Sequence, residues 1–165
     1  IGGGVVGEEL VFATLGAAKE LREFDFIFIK SPNMNEALLK ELNKPQAPHI
    51  RVEGFSPHYQ EWMEESCLSI SLGGYNTTMN LLATKTFGLI LPYKKSSEQI
   101  LRTGILHDKE VLYQLKESDL EIEKLKGLIL QNKDRSDWTH FQVQLDGAQK
   151  TAKWVCENLG DPSNF

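Results

Sequence analysis

Short apolar runs alternate with longer amphipathic stretches along this chain. The apolar runs are rich in β-branched and aromatic residues, which is typical of strands. They predict strands at Phe26–Ile29, Ile50–Phe55, Leu68–Leu72 and Phe87–Leu91, with a weaker strand at Val111–Tyr113. The run Phe26–Ile29 is apolar at every position, which indicates a strand buried on both faces.

The stretches between the apolar runs have the composition of helices. Helices are predicted at about Glu8–Arg22, Asn33–Asn43, Pro57–Glu65, Asn76–Ala83 and Glu98–Leu106, and two more after the last strand. Alternating strands and helices predict an α/β fold, a Rossmann-like parallel sheet with helices on both faces. Ligands of such sheets bind where strands end and helices begin, so the loops at those positions are the candidate site.

Composition and charge narrow the classes of function. The chain has 165 residues, the length of one domain, and 41% apolar and 25% charged residues exclude a disordered chain. Its net charge of -5 gives no basic surface for nucleic acid. A phosphate bound here must therefore be held by local backbone donors.

Cysteines and histidines give no sign of a metal or cofactor. Cys67 and Cys156 stand alone in the sequence and are predicted to be buried thiols in a reducing compartment, which favours a cytoplasmic protein. His49, His107 and His140 have no second ligand at metal-binding spacing. The sequence has no signal-peptide pattern and no apolar run of roughly 20 residues that would span a bilayer.

Two glycine-rich loops are candidates for binding a phosphate. Gly2–Gly4 precede the first helix, and Gly73–Gly74 follow a strand and precede Asn76, Thr77 and Thr78. Glycines let a ligand approach the backbone, and the free amides of a helix N-terminus favour an anion. Either loop is equally consistent with a tight turn or a capped helix start.

Two further loops lie at predicted strand ends. In Glu53–His58, Phe55 or the backbone beside it is placed to face a nucleobase. In Pro92–Gln99, Glu98 and Gln99 begin a helix and are placed to bond sugar hydroxyls, although an acidic first turn also suits the helix dipole. The four loops are expected to converge on one cleft at the carboxyl edge of the sheet.

The loops in this order resemble the C-terminal domain of family 28 glycosyltransferases, which include the peptidoglycan N-acetylglucosaminyltransferase and related predicted glycosyltransferases. The resemblance covers about residues 1–115. It is carried by Ser71–Thr77, Leu81–Ala83, Leu89–Tyr93, Glu98–Gln99 and Arg102, with Gly2–Gly4 as the first phosphate-side turn.

The resemblance implies the donor-binding half of a two-domain (GT-B) enzyme that transfers a hexosyl or N-acetylhexosaminyl group from a nucleoside-diphosphate sugar, most simply a UDP-sugar. It places the diphosphate near Gly3, Gly4, Gly73, Gly74, Asn76 and Thr77, the base near Phe55, the ribose near Asn80, and the sugar near Glu98 and Gln99. No cofactor or metal is implied.

The resemblance also implies that the chain is a fragment. Its first strand and an N-terminal acceptor domain, with the usual catalytic base, are expected to be missing, so the chain alone is predicted to be inactive. Any peripheral membrane association is expected through that missing domain.

Two positions depart from the family pattern. Asn80 stands where an acidic residue usually bonds the ribose, and Lys85-Thr86-Phe87 replaces the usual Gly-x-Pro. Asn80 loses charge-assisted strength, and Lys85 brings the geometry of the turn into question. Two alternative functions therefore stay open: a nucleotide-sugar hydrolase or epimerase of the same fold, and a non-catalytic nucleotide-sugar-binding module.

Overall fold

The computed structural model describes residues 7–31, 34–135, 141–142 and 146–159. The helices are α1 Glu8–Glu20, α2 Glu36–Leu42, α3 Tyr59–Glu64, α4 Tyr75–Thr84, α5 Ser97–Asp108, α6 Ile122–Asn132 and α7 Gly147–Leu159, with a 3-10 helix at Glu117–Leu120. The strands are β1 Phe26–Ile29, β2 Ile50–Glu53, β3 Ser69–Leu72, β4 Gly88–Leu91 and β5 Leu112–Gln114.

All strand pairs in the described part of the chain are parallel, which confirms the α/β prediction. β1 pairs with β2, from Phe26 opposite Ile50 to Ile29 opposite Glu53. β4 lies between β3 and β5 in a separate three-stranded sheet. The sequence predicted one sheet, whereas the described strands form two that do not pair with each other.

Helix α1 packs on both sheets because it is apolar on two adjacent stripes. Leu10, Ala13, Ala17 and Leu21 belong to the larger core, which is built around Phe87, Leu89 and Ile90 of the three-stranded sheet. Val11, Leu15 and Ala18 belong to the smaller core, with Phe28 of β1 and the buried leucines of α2. The spacings of three, four and seven residues place each stripe on one side of the helix.

Two predictions about burial are wrong. Strand β1 is not buried on both faces, because only Phe28 is fully buried and Ile27 is 38% exposed. Cys67 and Cys156 are free thiols on the surface, not buried residues. Ile27 points to the face opposite Phe28, because side chains alternate along a strand, and among the described residues that face is only partly covered.

Helix α4 ends at Lys85 in the left-handed conformation. The backbone of Lys85 has φ 56° and ψ 27°, and its amide donates to the carbonyl of Leu81. This geometry is the usual one for a glycine that ends a helix. The turn therefore has the geometry of a glycine cap although the residue is lysine. The cost is a left-handed backbone in a residue that has a Cβ.

Replacing Lys85 with glycine should stabilise the protein by about 1 kcal/mol, because the left-handed conformation costs a Cβ-bearing residue about that much. In a domain of this size the melting temperature should rise by about 2–4 °C. Lys109→Gly is the matched control, since Lys109 also ends a helix but has φ -88°. A rise for Lys109→Gly equal to that for Lys85→Gly would contradict the assignment of strain to Lys85.

Candidate functional site

A cavity of about 560 Å³ opens at the edge where β3, β4 and β5 end. Its walls are the amino end of α1 at residues 7–9, the last residues of β3 and β4, the β4–α5 loop and residues 115–117 after β5. This is the carboxyl edge of a parallel sheet, where ligands of such folds bind. The cavity is therefore the candidate site.

The turn from β3 to α4 contains two glycines in different surroundings. Gly73 is buried, and a Cβ there would lie 3.2 Å from both Pro92 Cα and Thr103 Cγ2. Gly74 is open, since a Cβ there would meet only Thr77 Oγ1, at 3.7 Å. Gly73 thus lets the β3–α4 and β4–α5 loops touch, whereas Gly74 leaves space over the start of α4.

The amino end of α4 has no side-chain cap. Gly74 occupies the cap position, and no side chain there accepts a hydrogen bond from the first turn. The hydroxyl of Thr78 instead donates within the helix, 2.8 Å from the carbonyl of Tyr75. Among the described residues, no side chain caps the first-turn amides of α4, which suits the binding of an anion there.

Arg102 ties α5 to the β3–α4 turn. Its Nη2 donates to the carbonyl of Gly73 at 2.6 Å, and its Nε donates to Thr78 Oγ1 at 3.0 Å. The guanidinium also pairs with Glu98 and lies 5.4 Å from the centre of the Tyr75 ring. Burial lowers the pKa of Arg102 below its ordinary value. Its five donors and planar shape suit this clamp.

The sequence does not predict the role of Arg102, which is part of the family resemblance only. A signal was present, because Glu98 and Arg102 are four residues apart and face each other on a helix. The contact with the Gly73 carbonyl joins residues 29 positions apart. No local pattern predicts such a contact.

The structure places Glu98 and Gln99 at the start of α5, as predicted, and gives Gln99 a backbone partner. Gln99 Oε1 accepts from the amide of Tyr93 at 3.0 Å, and Ser96 caps the helix by accepting from the Gln99 amide at 3.3 Å. Glu98 is 65% exposed. Gln99 therefore holds the β4–α5 loop, with its amide nitrogen still available to donate.

Asn80 lies on α4 and faces α3. Its Oδ1 accepts from Gln60 Nε2 at 2.9 Å. Burial raises the pKa of the neighbouring Tyr59 phenol, and a hydrogen bond with Asn80 partly offsets this rise. Asn80 thus joins two helices through neutral hydrogen bonds, which a carboxylate at this position would change.

None of the described residues that the sequence predicted for the site is among those that line the cavity, although Leu72 and Pro92–Lys94 next to them are. Gly74, Asn76 and Thr77 lie at the start of α4, beside Gly73. Phe55 is 81% exposed and does not line the cavity. Gly3 and Gly4 lie outside the described residues, so their predicted role stays a prediction.

Two lysines, Lys94 and Lys116, line the cavity, and Lys94 is ion-paired. Lys94 Nζ lies 2.9 Å from a carboxylate oxygen of Glu117. This ion pair raises the pKa of Lys94, and Glu9 adds to the rise. Among the described residues, no cluster of histidines, cysteines and carboxylates has the geometry to hold a metal ion.

Comparison with known proteins identifies the family. The sequence profile of the glycosyltransferase family 28 C-terminal domain matches residues 3–145, most of the chain. The chain belongs to glycosyltransferase family 28. The fold class and the enzyme class predicted from the sequence are thereby confirmed.

One curated relative is the UDP-N-acetylglucosamine–N-acetylmuramyl-(pentapeptide) pyrophosphoryl-undecaprenol N-acetylglucosamine transferase of Campylobacter hominis. It is 27% identical over 148 residues, which cover 86% of this chain and 42% of the relative. The family 28 chain thus spans less than half the length of this relative. No solved structure matches it significantly. Among the described helices, none is long and apolar enough to cross a membrane.

Gly73→Ala and Gly74→Ala should differ in stability. The Cβ of Gly73→Ala meets backbone at 3.2 Å, so we expect a loss of about 1–3 kcal/mol from overpacking. Gly74 has φ -61° and ψ 149°, which alanine adopts freely, so Gly74→Ala should be neutral or slightly stabilising. Thermal unfolding of the two variants measures the difference. Equal melting temperatures would show that the contact of Gly73 with the β4–α5 loop is not needed for stability.

Proposed function

We propose that this family 28 domain binds the donor, a nucleoside-diphosphate sugar, at the carboxyl edge of its three-stranded sheet. The observation that carries this proposal is the uncapped start of α4 behind the open Gly74, beside a 560 Å³ cavity. Backbone amides there offer donors to a diphosphate, with the positive end of the helix dipole behind them. An acidic domain needs such local donors.

The diphosphate is assigned to Gly74, Asn76 and Thr77 because these residues form the first turn of α4. Gly3 and Gly4 are assigned to the same group, since the described chain enters α1 at Gly7, which lines the cavity. The Gly73 side of the turn is held rigid by Arg102. A preorganised turn keeps its amides in place without a further entropy cost on binding.

The nucleoside is assigned to the β2–α3 loop and α4. The ring of Phe55 is exposed after β2, and Asn80 lies on α4 facing α3. The β2–α3 loop follows the carboxyl end of β2, and α4 follows the carboxyl end of β3. Asn80 retains one donor group to offer a ribose hydroxyl, without the strength of a carboxylate.

The transferred sugar is assigned to Glu98 and Gln99. Glu98 is exposed at the first turn of α5. Gln99 uses its side-chain oxygen to accept from the Tyr93 amide, which leaves its side-chain nitrogen to donate. Hydroxyl groups of a sugar suit a carboxylate acceptor and an amide donor. Both residues lie in the first turn of α5, directly after the β4–α5 loop whose residues 92–94 line the cavity.

The donor is proposed to be a UDP-sugar, because the relative from Campylobacter hominis carries a UDP-sugar donor in its name. The acceptor and the catalytic base are assigned to another domain, since the chain matches only 42% of that relative. The donor half contributes by stabilising the leaving diphosphate through the α4 amides. A cytoplasmic location, with membrane contact through the other domain, is part of the same proposal.

The turn at Lys85 gives no support to a module that has lost donor binding. Lys85 adopts the left-handed conformation that a glycine would take at this position. The path from α4 into β4 is therefore preserved, and β4 keeps its register with β3. Asn80 remains the one departure that bears on affinity for the ribose.

Titration calorimetry tests the proposal with UDP-N-acetylglucosamine, UDP, uridine and GDP-mannose. UDP-N-acetylglucosamine and UDP should bind more tightly than uridine, because uridine has no diphosphate to reach the α4 amides. Gly74→Leu should weaken both by at least about tenfold while leaving the fold intact. Gly127→Leu is the matched control, because Gly127 lies on α6 with nothing within 4 Å of a new Cβ. Equal binding of uridine and UDP would remove the diphosphate from this site.

Gln99→Ala should weaken UDP-N-acetylglucosamine about two- to twelvefold, the effect of one lost hydrogen bond, and affect UDP less. A loss of affinity shared by both ligands would come in part from the Tyr93 amide, which loses its hydrogen-bond acceptor in Gln99→Ala. Gln99→Glu separates the two roles, since it keeps an oxygen for that amide and should restore the melting temperature. Equal weakening of both ligands by Gln99→Ala would place Gln99 outside the sugar pocket.

A further inference from the structure

Asn80 lies on the same face of α4 as the residues assigned to the diphosphate. Asn76 and Thr77 precede it by four and three residues, and residues at these spacings are neighbours along one face of a helix. Asn80 is about 6 Å farther from the helix start than Asn76, given the rise of about 1.5 Å per residue. A nucleoside whose diphosphate meets the first turn of α4 therefore has its pentose beside Asn80.

The side-chain oxygen of Asn80 is held by the neighbouring helix. α3 packs on α4, and Gln60 of α3 donates from Nε2 to Asn80 Oδ1 at 2.9 Å. This oxygen is the one acceptor atom that an asparagine side chain has. The bond with Gln60 thus directs the acceptor of Asn80 toward α3.

The side-chain nitrogen of Asn80 keeps a donor. Burial raises the pKa of the Tyr59 phenol, and a hydrogen bond with Asn80 lowers it in part. A hydrogen bond lowers the pKa of a phenol when it is donated to the phenol oxygen, because it then stabilises the ionised form. Asn80 therefore donates one N–H to Tyr59, and the second N–H of its amide is left for a ligand.

We propose that Gln60 is a positioning residue, which fixes the amide of Asn80 so that it offers the nucleoside a donor and no acceptor. The site consequently binds 2′-deoxyribonucleotides as well as ribonucleotides. This inference rests on the proposed donor site and names the class of nucleotide that the site accepts.

The chemistry of the two pentoses gives the reason. Ribose has hydroxyls at the 2′ and 3′ positions, whereas 2′-deoxyribose keeps only the 3′-hydroxyl. A single N–H needs one hydroxyl oxygen, and the 3′-hydroxyl of either pentose supplies it. A carboxylate would accept from both hydroxyls of ribose and would lose one partner on deoxyribose. Strong rejection of an analogue that lacks a hydroxyl requires a site built to bond that hydroxyl, and this amide does not provide one.

The charge of α3 is consistent with a neutral side chain at position 80. α3 contains Glu61 and Glu64 and no lysine or arginine. A carboxylate at position 80 would face this helix without a cationic partner on it. Gln60 and Asn80 instead form a neutral pair.

Titration calorimetry with UDP and dUDP tests the inference. The two ligands should bind the wild-type chain with dissociation constants that differ by less than about threefold. Asn80→Asp keeps the shape of the side chain and the oxygen that accepts from Gln60, but it replaces the donor with an acceptor. In this variant UDP should bind at least about tenfold more tightly than dUDP, because the 2′-hydroxyl then donates to a charged group.

Asn43→Asp is the matched control. Asn43 follows α2 and also accepts through Oδ1, from Lys30 Nζ at 3.2 Å, and the substitution adds the same charge to the protein. The ratio of the two dissociation constants should stay at its wild-type value. A ratio that changes as much in Asn43→Asp as in Asn80→Asp would assign the effect to net charge and would overturn the inference.

Gln60→Glu tests the positioning role. The new carboxylate can only accept, so Asn80 should turn its amide to donate to it and present its oxygen to the nucleoside. UDP should then bind about three- to tenfold more tightly than dUDP. Gln60→Lys still donates to Asn80 and should keep the wild-type ratio. A purely structural role of Gln60 would weaken both nucleotides equally in Gln60→Glu, which would contradict the assignment.

Two further results would overturn the inference. One is a wild-type preference for UDP over dUDP of about tenfold or more. The other is an unchanged ratio in Asn80→Asp, which would place Asn80 away from the pentose. Neither result bears on the diphosphate, whose placement fails instead if uridine binds as tightly as UDP.

Discussion

The architecture depends on one helix that is buried on two sides. The two sheets do not pair with each other in the described part of the chain, and α1 contributes buried side chains to both cores, with Phe26 of β1 packed against both as well. Gly16 is part of this arrangement, because a Cβ there would lie 2.6 Å from Ile122 Cδ1 of α6. A glycine inside a helix costs about 1 kcal/mol relative to alanine, and here that cost permits the close approach of α6.

The candidate site depends indirectly on this packing. The larger core fixes β3 and β4 side by side, and the buried Gly73 then lets their two following loops touch. Arg102 and Gln99 fix the contact by bonding main-chain groups of those loops. The open Gly74 is thus bordered by polar groups that already have hydrogen-bond partners. Rigid surroundings with one unsatisfied helix end are the condition for a preorganised anion site.

Local chemistry explains which features the sequence predicts. The strands and helices follow from periodicity and appear at the predicted places, with ends that differ by a few residues, such as β2 ending at Glu53 rather than Phe55. The division into two sheets, the exposure of Ile27 and the clamp at Arg102 involve partners far away in the chain. Such contacts leave no periodic signal. The two exposed thiols show the same limit, because isolated cysteines in a sequence do not reveal whether they are buried or on the surface.

Charge leads to a conclusion about how a diphosphate can be held by this domain. The net charge is -5, Lys94 is paired with Glu117, and Arg102 is bound to Glu98 and to the Gly73 carbonyl. Moving either cation toward a ligand would break a contact that orders the site. The amides at the start of α4 donate no hydrogen bond to a capping side chain. In the proposed placement of the diphosphate, this turn supplies donors that neither Lys94 nor Arg102 can supply without losing a partner.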